Sequence, residues 1–383
     1  MIPLCIPKLD GNEARYLAEC VSSGFVSSVG PFVGRMEEMT ASATGFARAV
    51  AAASGTAGLH LALTALGVGP GDLVATPSLT FIATCNAVSH CGATPWLMDI
   101  LEDDWTLDPE LLERSLAQEC ERRATGLVHR ATGRRVAAIL PVLLLGNPCA
   151  MERIDAVAAA HGLPVVVDAA CALGADCQGR PLGAFGTAAV FSFNGNKTVT
   201  AGGGGMVCTN DPALADRLRH LSTQARVGED YDHDAVGFNY RMTNLQAAVG
   251  CAQMERLEEF VARKRAIRQA YDAALAGRNG LAAFPHGRHG ASSCWLSGAL
   301  LPGSGATARE IASLLRARGV GARAFYRPMH LQPPYAAAPR SDMPVCEAVW
   351  ERILNLPCST GLTDGEQARS AQALLDVLAG WTT

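Results

Sequence analysis

The chain has 383 residues, of which 49% are hydrophobic and 18% charged, with a formal net charge of −4. That length supports one large domain plus a smaller one, and the acidic balance argues against a nucleic-acid binder, which is usually basic. No run approaches the ~18 apolar residues that a membrane span needs.

The first thirteen residues, MIPLCIPKLDGNE, lack a signal-peptide pattern, and the thirteen cysteines include no CxxC pair. Both are read as the reduced thiols of a cytoplasmic protein without a metal site. Onward from there strand and helix patterns alternate. This predicts an α/β fold with a mostly parallel sheet covered by helices on both faces.

Ser54-Gly55-Thr56 opens a helix predicted over 57–66 and closed by Gly67. Small residues at its start admit an anion to free backbone N–H groups and to the positive end of the helix dipole. The tripeptide alone is equally a plain N-cap. Strands are predicted over 73–76, 136–142 and 163–167, and a helix over 151–161. The run LPVVVDAA ends four apolar residues on Asp168, which puts a carboxylate at the carboxyl edge of a buried strand. An acid there can hold a pyridine nitrogen protonated, or it can cap a helix.

A strand predicted over 188–193 contains Ser192 and leads to Lys197, with Gly202–Gly205 following: AAVFSFNGNKTVTAGGGGMV. A lysine ending a buried strand is poorly placed for solubility, and in a partly desolvated site its free amine can form an imine. A surface lysine in a hairpin is the plainer alternative. After a helix over 211–221 comes GFNYRMTNLQAA (237–248), where Asn239 and Arg241 are candidate anion donors and Thr243 caps a long helix running into the 270s. Strands over 292–301 and 320–325, with capping boxes at Thr307/Glu310 and Thr363/Glu366, predict a smaller domain. The expected division is 1–250, with an N-terminal arm, and 251–383. In FYRPMHLQPPY, Arg327 and His330 flank a proline and suit a diphosphate-linked sugar, or belong to a packed connector.

Taken in order, SSVGPFVGRMEE (27–38), ASGTAGLHLALTALGVGPGD (53–72), PSLTFIATCNAVSHCGATP (77–95), VVVDAACALGA (165–175), FSFNGNKTVTAGGGG (191–205), GFNYRMTNLQAAVG (237–250) and RPMHLQPPY (327–335) resemble the sugar-nucleotide aminotransferases of the DegT/DnrJ/EryC1/StrS group. The resemblance covers nearly the whole chain. It implies a fold-type I enzyme with a large α/β domain and a smaller C-terminal α+β domain, using pyridoxal 5′-phosphate (PLP). By the same resemblance Lys197 would hold the cofactor covalently and shuttle a proton, and Asp168 would pair with the ring nitrogen. Phe81 would stack on the ring, Gly55, Thr56 and Ser192 would bind the phosphate, and Asn239 of the partner subunit would complete a homodimeric site. His330 and Arg327 would face the nucleotide sugar.

Two positions depart from the group. Cys171 stands where Gln, Glu or His is usual, and Leu143 stands where a histidine often follows Pro-Val. Finer resemblance, through FSFNGNK, LGNPCAM (145–151) and LSTQAR (221–226), is to enzymes that aminate UDP-linked 2-acetamido-4-keto-6-deoxy sugars with L-glutamate as donor by ping-pong kinetics. The alternative is a GDP-linked 4-keto-6-deoxyhexose, as in perosamine formation. A lysine at 197 separates the chain from the group's dehydratases, which carry histidine there, and a non-catalytic PLP-binding relative is the remaining alternative.

Overall fold

Runs that are apolar at nearly every position cannot face water on either side, and they form the centre of this fold. The computed structural model describes residues 1–303 and 305–380. β1 (Arg48–Ala52), β2 (Leu73–Pro77), β3 (Thr94–Met98), β4 (Arg134–Ile139), β5 (Val166–Asp168), β6 (Ala188–Ser192) and β7 (Gly205–Thr209) lie in the spatial order β3-β2-β4-β5-β6-β7-β1. β4 and β5 join through parallel bridges at Ile139–Val165 and Val142–Asp168. There the Asp168 N–H donates to Pro141 O at 2.9 Å and the Leu143 N–H to Asp168 O at 3.0 Å. Within this sheet β2–β3, β2–β4 and β5–β6 are parallel, while β7 is antiparallel to both β6 and β1. The mostly parallel α/β sheet expected from the alternating pattern is therefore present.

Local chemistry sets the helices around it. Met151–His161 ends on Gly162, whose φ of +67° is the left-handed stop that glycine adopts without penalty. Pro212–Ser222 begins where the Asp211 side chain accepts from the Ala213 and Leu214 N–H groups. One face of the sheet packs Trp96, Leu112, Phe191 and Phe193, and the other packs Leu59, Val88 and Leu218.

A second sheet contains β8 (Ala282–Ala283), β9 (Ser297–Leu300), β10 (Arg323–Ala324) and β11 (Ile353–Leu356), in the order β8-β9-β11-β10 and antiparallel throughout. The helices Ala308–Ala317 and Asp364–Ala379 cover it, and each opens with its expected capping box. Three elements differ from expectation. The strand over 292–301 starts only at Ser297, because the Ser293 and Trp295 N–H groups donate to Gly146 and Leu145 carbonyls instead of to a neighbouring strand. The strand over 320–325 shrinks to two residues, because Val320 and Gly321 pair with Ile2 at the N-terminus.

The long helix from Thr243 breaks into Asn244–Met254 and Leu257–Leu275. Glu255 is pulled toward Tyr16, Asn12 and Arg35, and Arg256 toward Asp10 and Glu259, and Arg256 leaves helical geometry at φ −117°. The second of these helices changes cores along its length. Phe260 packs with the large sheet, and Ile267, Tyr271 and Leu275 pack with the small one. Among the described residues no helix is long and apolar enough to cross a membrane.

Candidate active site

The carboxyl ends of β2, β5 and β6 open on one edge of the large sheet, the edge where open α/β sheets bind ligands. Asp168 closes β5 and is only 5% exposed. Its Oδ2 accepts from Thr84 Oγ1–H at 2.7 Å and its Oδ1 from the Ala170 N–H at 3.1 Å. Burial pushes the carboxyl above its usual range, while those two donors and the charge of Lys197 pull the other way.

Lys197 does not end the strand, as expected, but lies five residues beyond Ser192, the last residue of β6. The chain first turns, with the Lys197 N–H donating to Asn194 O at 2.9 Å. This turn swings the side chain back over the sheet edge. Lys197 Nζ lies 3.2 Å from Cys171 Sγ and 3.9 Å from the centroid of the Trp295 ring. Trp295 is itself fixed by its Nε1–H, which donates to Asn196 O at 2.7 Å. Ser293 Oγ donates to the Cys171 carbonyl at 2.8 Å, so the loop after Asp168 is braced from the same segment.

Gly55 begins the Gly55–Ala65 helix, capped by Ser54 Oγ, which accepts from the Ala57 N–H at 3.0 Å. A Cβ at Gly55 would sit 2.9 Å from Ser192 Cβ and 3.3 Å from Ser192 Oγ. The helix N-terminus and the end of β6 therefore face each other with no side chain to spare. Gly205 makes the complementary approach from β7, where a Cβ would meet the Ser54 carbonyl at 2.6 Å. The amide groups of Gly55 and Thr56, the Ser192 hydroxyl, the Lys197 amine and Asp168 are thus gathered at one edge. Leu143 is fully buried beside Asp168 through backbone pairing.

The other expected residues are distributed around this centre. Phe81 is 54% exposed, with its ring centroid 5.2 Å from that of Tyr326. Burial, then the nearby Cys171 and Asp168, push the Tyr326 phenol well above its usual range, which places Tyr326 beside the same two side chains. Asn239 is exposed, in an isolated antiparallel bridge with Thr223, and the next residue, Tyr240, accepts at its carbonyl from the Ala53 N–H at 2.6 Å, next to the helix entrance. Arg327 is exposed beside Tyr326. His330 is 4% exposed, with Nδ1 2.7 Å from Ser78 Oγ and Nε2 3.5 Å from Glu347. Nδ1 is satisfied by Ser78, while Nε2, although near the Glu347 carboxylate, is buried without a hydrogen-bond partner among the described residues. Burial lowers its pKa despite Glu347.

Thr84, Trp295 and Tyr326 hold the centre together without having been selected from the sequence. Thr84 lies three residues after Phe81 in the same motif, which is a usable signal. Trp295 lies outside every motif.

These residues fit a pyridine ring bearing an aldehyde and a phosphate. Asp168 is a buried acid whose recorded partners are two neutral donors, so it lacks the cationic N–H partner that a protonated pyridine supplies. Lys197 offers a primary amine beside it, and the Gly55–Ser192 approach leaves a helix N-terminus bare for a phosphate.

Comparison with known proteins agrees. The profile of the DegT/DnrJ/EryC1/StrS aminotransferase family matches residues 7–375. The chain is 40% identical to the GDP-perosamine synthase of Caulobacter vibrioides, over 98% of each chain, and 35% identical to that of Vibrio cholerae, over 96% of each. Its fold superposes on the PLP-form structure of Spr1654 from Streptococcus pneumoniae with a TM-score of 0.88, at 26% identity and full coverage of both chains.

Proposed function

This chain belongs to the DegT/DnrJ/EryC1/StrS aminotransferase family of PLP-dependent enzymes, and we propose that it aminates the 4-keto group of a GDP-linked 4-keto-6-deoxyhexose, with L-glutamate as donor. The relatives named GDP-perosamine synthase support the GDP-linked sugar over the UDP-linked 2-acetamido sugar first expected. The observation that carries the chemistry is an amine, Lys197, near enough for its charge to act on a buried acid, Asp168, whose hydrogen bonds come from two neutral donors.

When bound, PLP supplies an electron sink for the carbon that loses or gains a proton. Lys197 would hold the cofactor through its amine and would carry the proton between the reacting carbons. Trp295 and Cys171, which flank its Nζ, would keep that amine at the sheet edge. Asp168 would keep the ring nitrogen protonated, with Thr84 orienting the carboxylate. Phe81 would stack on the ring. Gly55, Thr56 and Ser192 hold the phosphate, and in our reading Asn239 of the partner subunit reaches the same group, making the unit a homodimer. In the same reading Arg327 would meet the diphosphate, and His330, oriented by Ser78, would face the sugar. We place the boundary of the PLP-binding domain within the Leu257–Leu275 helix, where core membership changes.

One site serves donor and acceptor in turn, so initial-rate double-reciprocal plots should be parallel. With ¹⁵N-labelled L-glutamate, the label should appear in the GDP-linked amino sugar. Label that stays in the donor while the keto sugar is consumed would sink the proposal.

A further inference from the structure

Lys264, on the Leu257–Leu275 helix, is 1% exposed, yet no carboxylate is among its recorded partners. Its Nζ donates to Trp295 O at 2.9 Å and to Cys358 O at 2.7 Å, and lies 3.5 Å from Cys5 Sγ and 3.9 Å from Cys358 Sγ. A buried ammonium with only carbonyls around it is costly, and a thiolate is the one anion this neighbourhood can supply. Of the thirteen cysteines, all among the described residues, only Cys5 and Cys171 are not buried.

The backbones run side by side. The Cys358 N–H donates to Leu4 O at 2.7 Å and the Ile6 N–H to Ser359 Oγ at 3.0 Å, so residues 4–6 run beside 358–359. The two sulfurs lie 3.5 and 3.9 Å from the same Lys264 Nζ, which brings Cys5 and Cys358 within reach of each other.

We propose that Cys5 is a reactive thiol that a hydroperoxide oxidises into a disulfide with Cys358. The Cys358 thiol beside it, then the charge of Lys264, hold Cys5 below the usual thiol range against burial, while Cys358, whose own S–H is directed to Trp295 O at 3.9 Å, is held above it. The groups facing Cys5 are Cys358, Lys264 and Lys197, together with Asn196 O at 3.3 Å. The last contact suits a thiol and the two lysines suit a thiolate; the uncompensated Lys264 decides for the thiolate.

In the reaction the Cys5 thiolate attacks one peroxide oxygen and breaks the O–O bond, forming a sulfenic acid and releasing hydroxide. The Cys358 sulfur then attacks the Cys5 sulfur, loses its proton, and expels water as the S–O bond breaks. Two electrons pass from the two sulfurs to the peroxide, and an external dithiol reverses the step. The couple sits one residue from Lys197, through Asn196.

The test is site-resolved alkylation of the PLP-saturated protein by iodoacetamide across pH, followed by hydrogen peroxide and peptide mass mapping. A thiolate of low pKa is less nucleophilic, so the pH midpoint is the diagnostic and not the rate. Cys5 should alkylate with a midpoint below that of a free thiol, about 8.5. Peroxide should remove about 2 Da from the chain and link the Cys5 and Cys358 peptides, reversibly with dithiothreitol. In Cys358→Ser, Cys5 should stop as a sulfenic acid that dimedone captures, and Cys5→Ser should show no link. An ordinary midpoint at Cys5, or peroxide-treated protein in which Cys5 and Cys358 are both free or Cys5 is overoxidised unlinked, overturns the proposal.

Discussion

Asp168 has a carboxyl that burial pushes up, so in the cofactor-free protein its charge is a cost. The sign follows from linkage. A raised folded pKa means the folded state holds the proton more tightly, so stability is lost as pH rises from the unfolded value of about 3.9 through the folded one. Asp168→Asn should therefore raise the melting temperature of the cofactor-free protein at neutral pH, with no gain below about pH 4. The same change should lower transamination by about 10²-fold or more, because an amide cannot hold the ring nitrogen protonated. A variant that is both less stable without PLP and fully active would contradict the assignment. The positions of Asp168, Gly55 and Ser192 were legible because each is carried by a contiguous run that fixes it on a strand end or helix start, whereas Lys197 was expected at a strand end and lies in the turn beyond it. Thr84 and Trp295 were not, since their value arises only when separate parts of the chain meet. The neighbours of His330, Ser78 and Glu347, likewise come from distant positions that its motif does not encode.

At the scale of elements, the meeting of the Gly55–Ala65 helix and β6 is where our reading puts the phosphate. Gly55→Ala places a methyl 2.9 Å from Ser192 Cβ, and one side must move by several tenths of an ångström. The helix keeps its Ser54 cap and tolerates alanine, so the fold should survive, while PLP affinity should fall by about tenfold or more. Equilibrium dialysis of PLP against the variant measures this, and unchanged affinity would place the phosphate elsewhere. Helices were read well from sequence where a cap or a left-handed glycine defines the end, as at Thr307, Thr363 and Gly162. Strand ends were read poorly because they depend on which partner takes the N–H groups, as Trp295 and Val320 show. The broken helix at Glu255–Arg256 had no local signal either. Its cause is a set of charges from the N-terminal arm, more than two hundred residues earlier.

For the whole molecule, the reading requires two chains to complete a site. Co-expressed Lys197→Ala and Asn239→Ala chains should form hybrids in which one site has both native residues. Random pairing then gives about a quarter of wild-type activity, well above either parent. Activity no higher than the Asn239→Ala parent would mean that Asn239 serves its own chain. The family and the α/β architecture were legible from the ordered motifs. The acceptor's nucleotide was not: the subgroup motifs suggested a UDP-linked sugar, and the relatives named GDP-perosamine synthase favour the GDP-linked alternative.

The measurement that tests the central reading most directly is a spectroscopic titration of the PLP-loaded enzyme. L-glutamate is added first, and then, after its removal, nucleotide-linked 4-keto sugars one at a time. L-glutamate should bleach the visible band of the protein-bound cofactor, and a GDP-linked 4-keto-6-deoxyhexose should restore it. Restoration only by a UDP-linked 2-acetamido-4-keto-6-deoxy sugar would contradict the acceptor, and a band untouched by L-glutamate would contradict the donor half of the reaction.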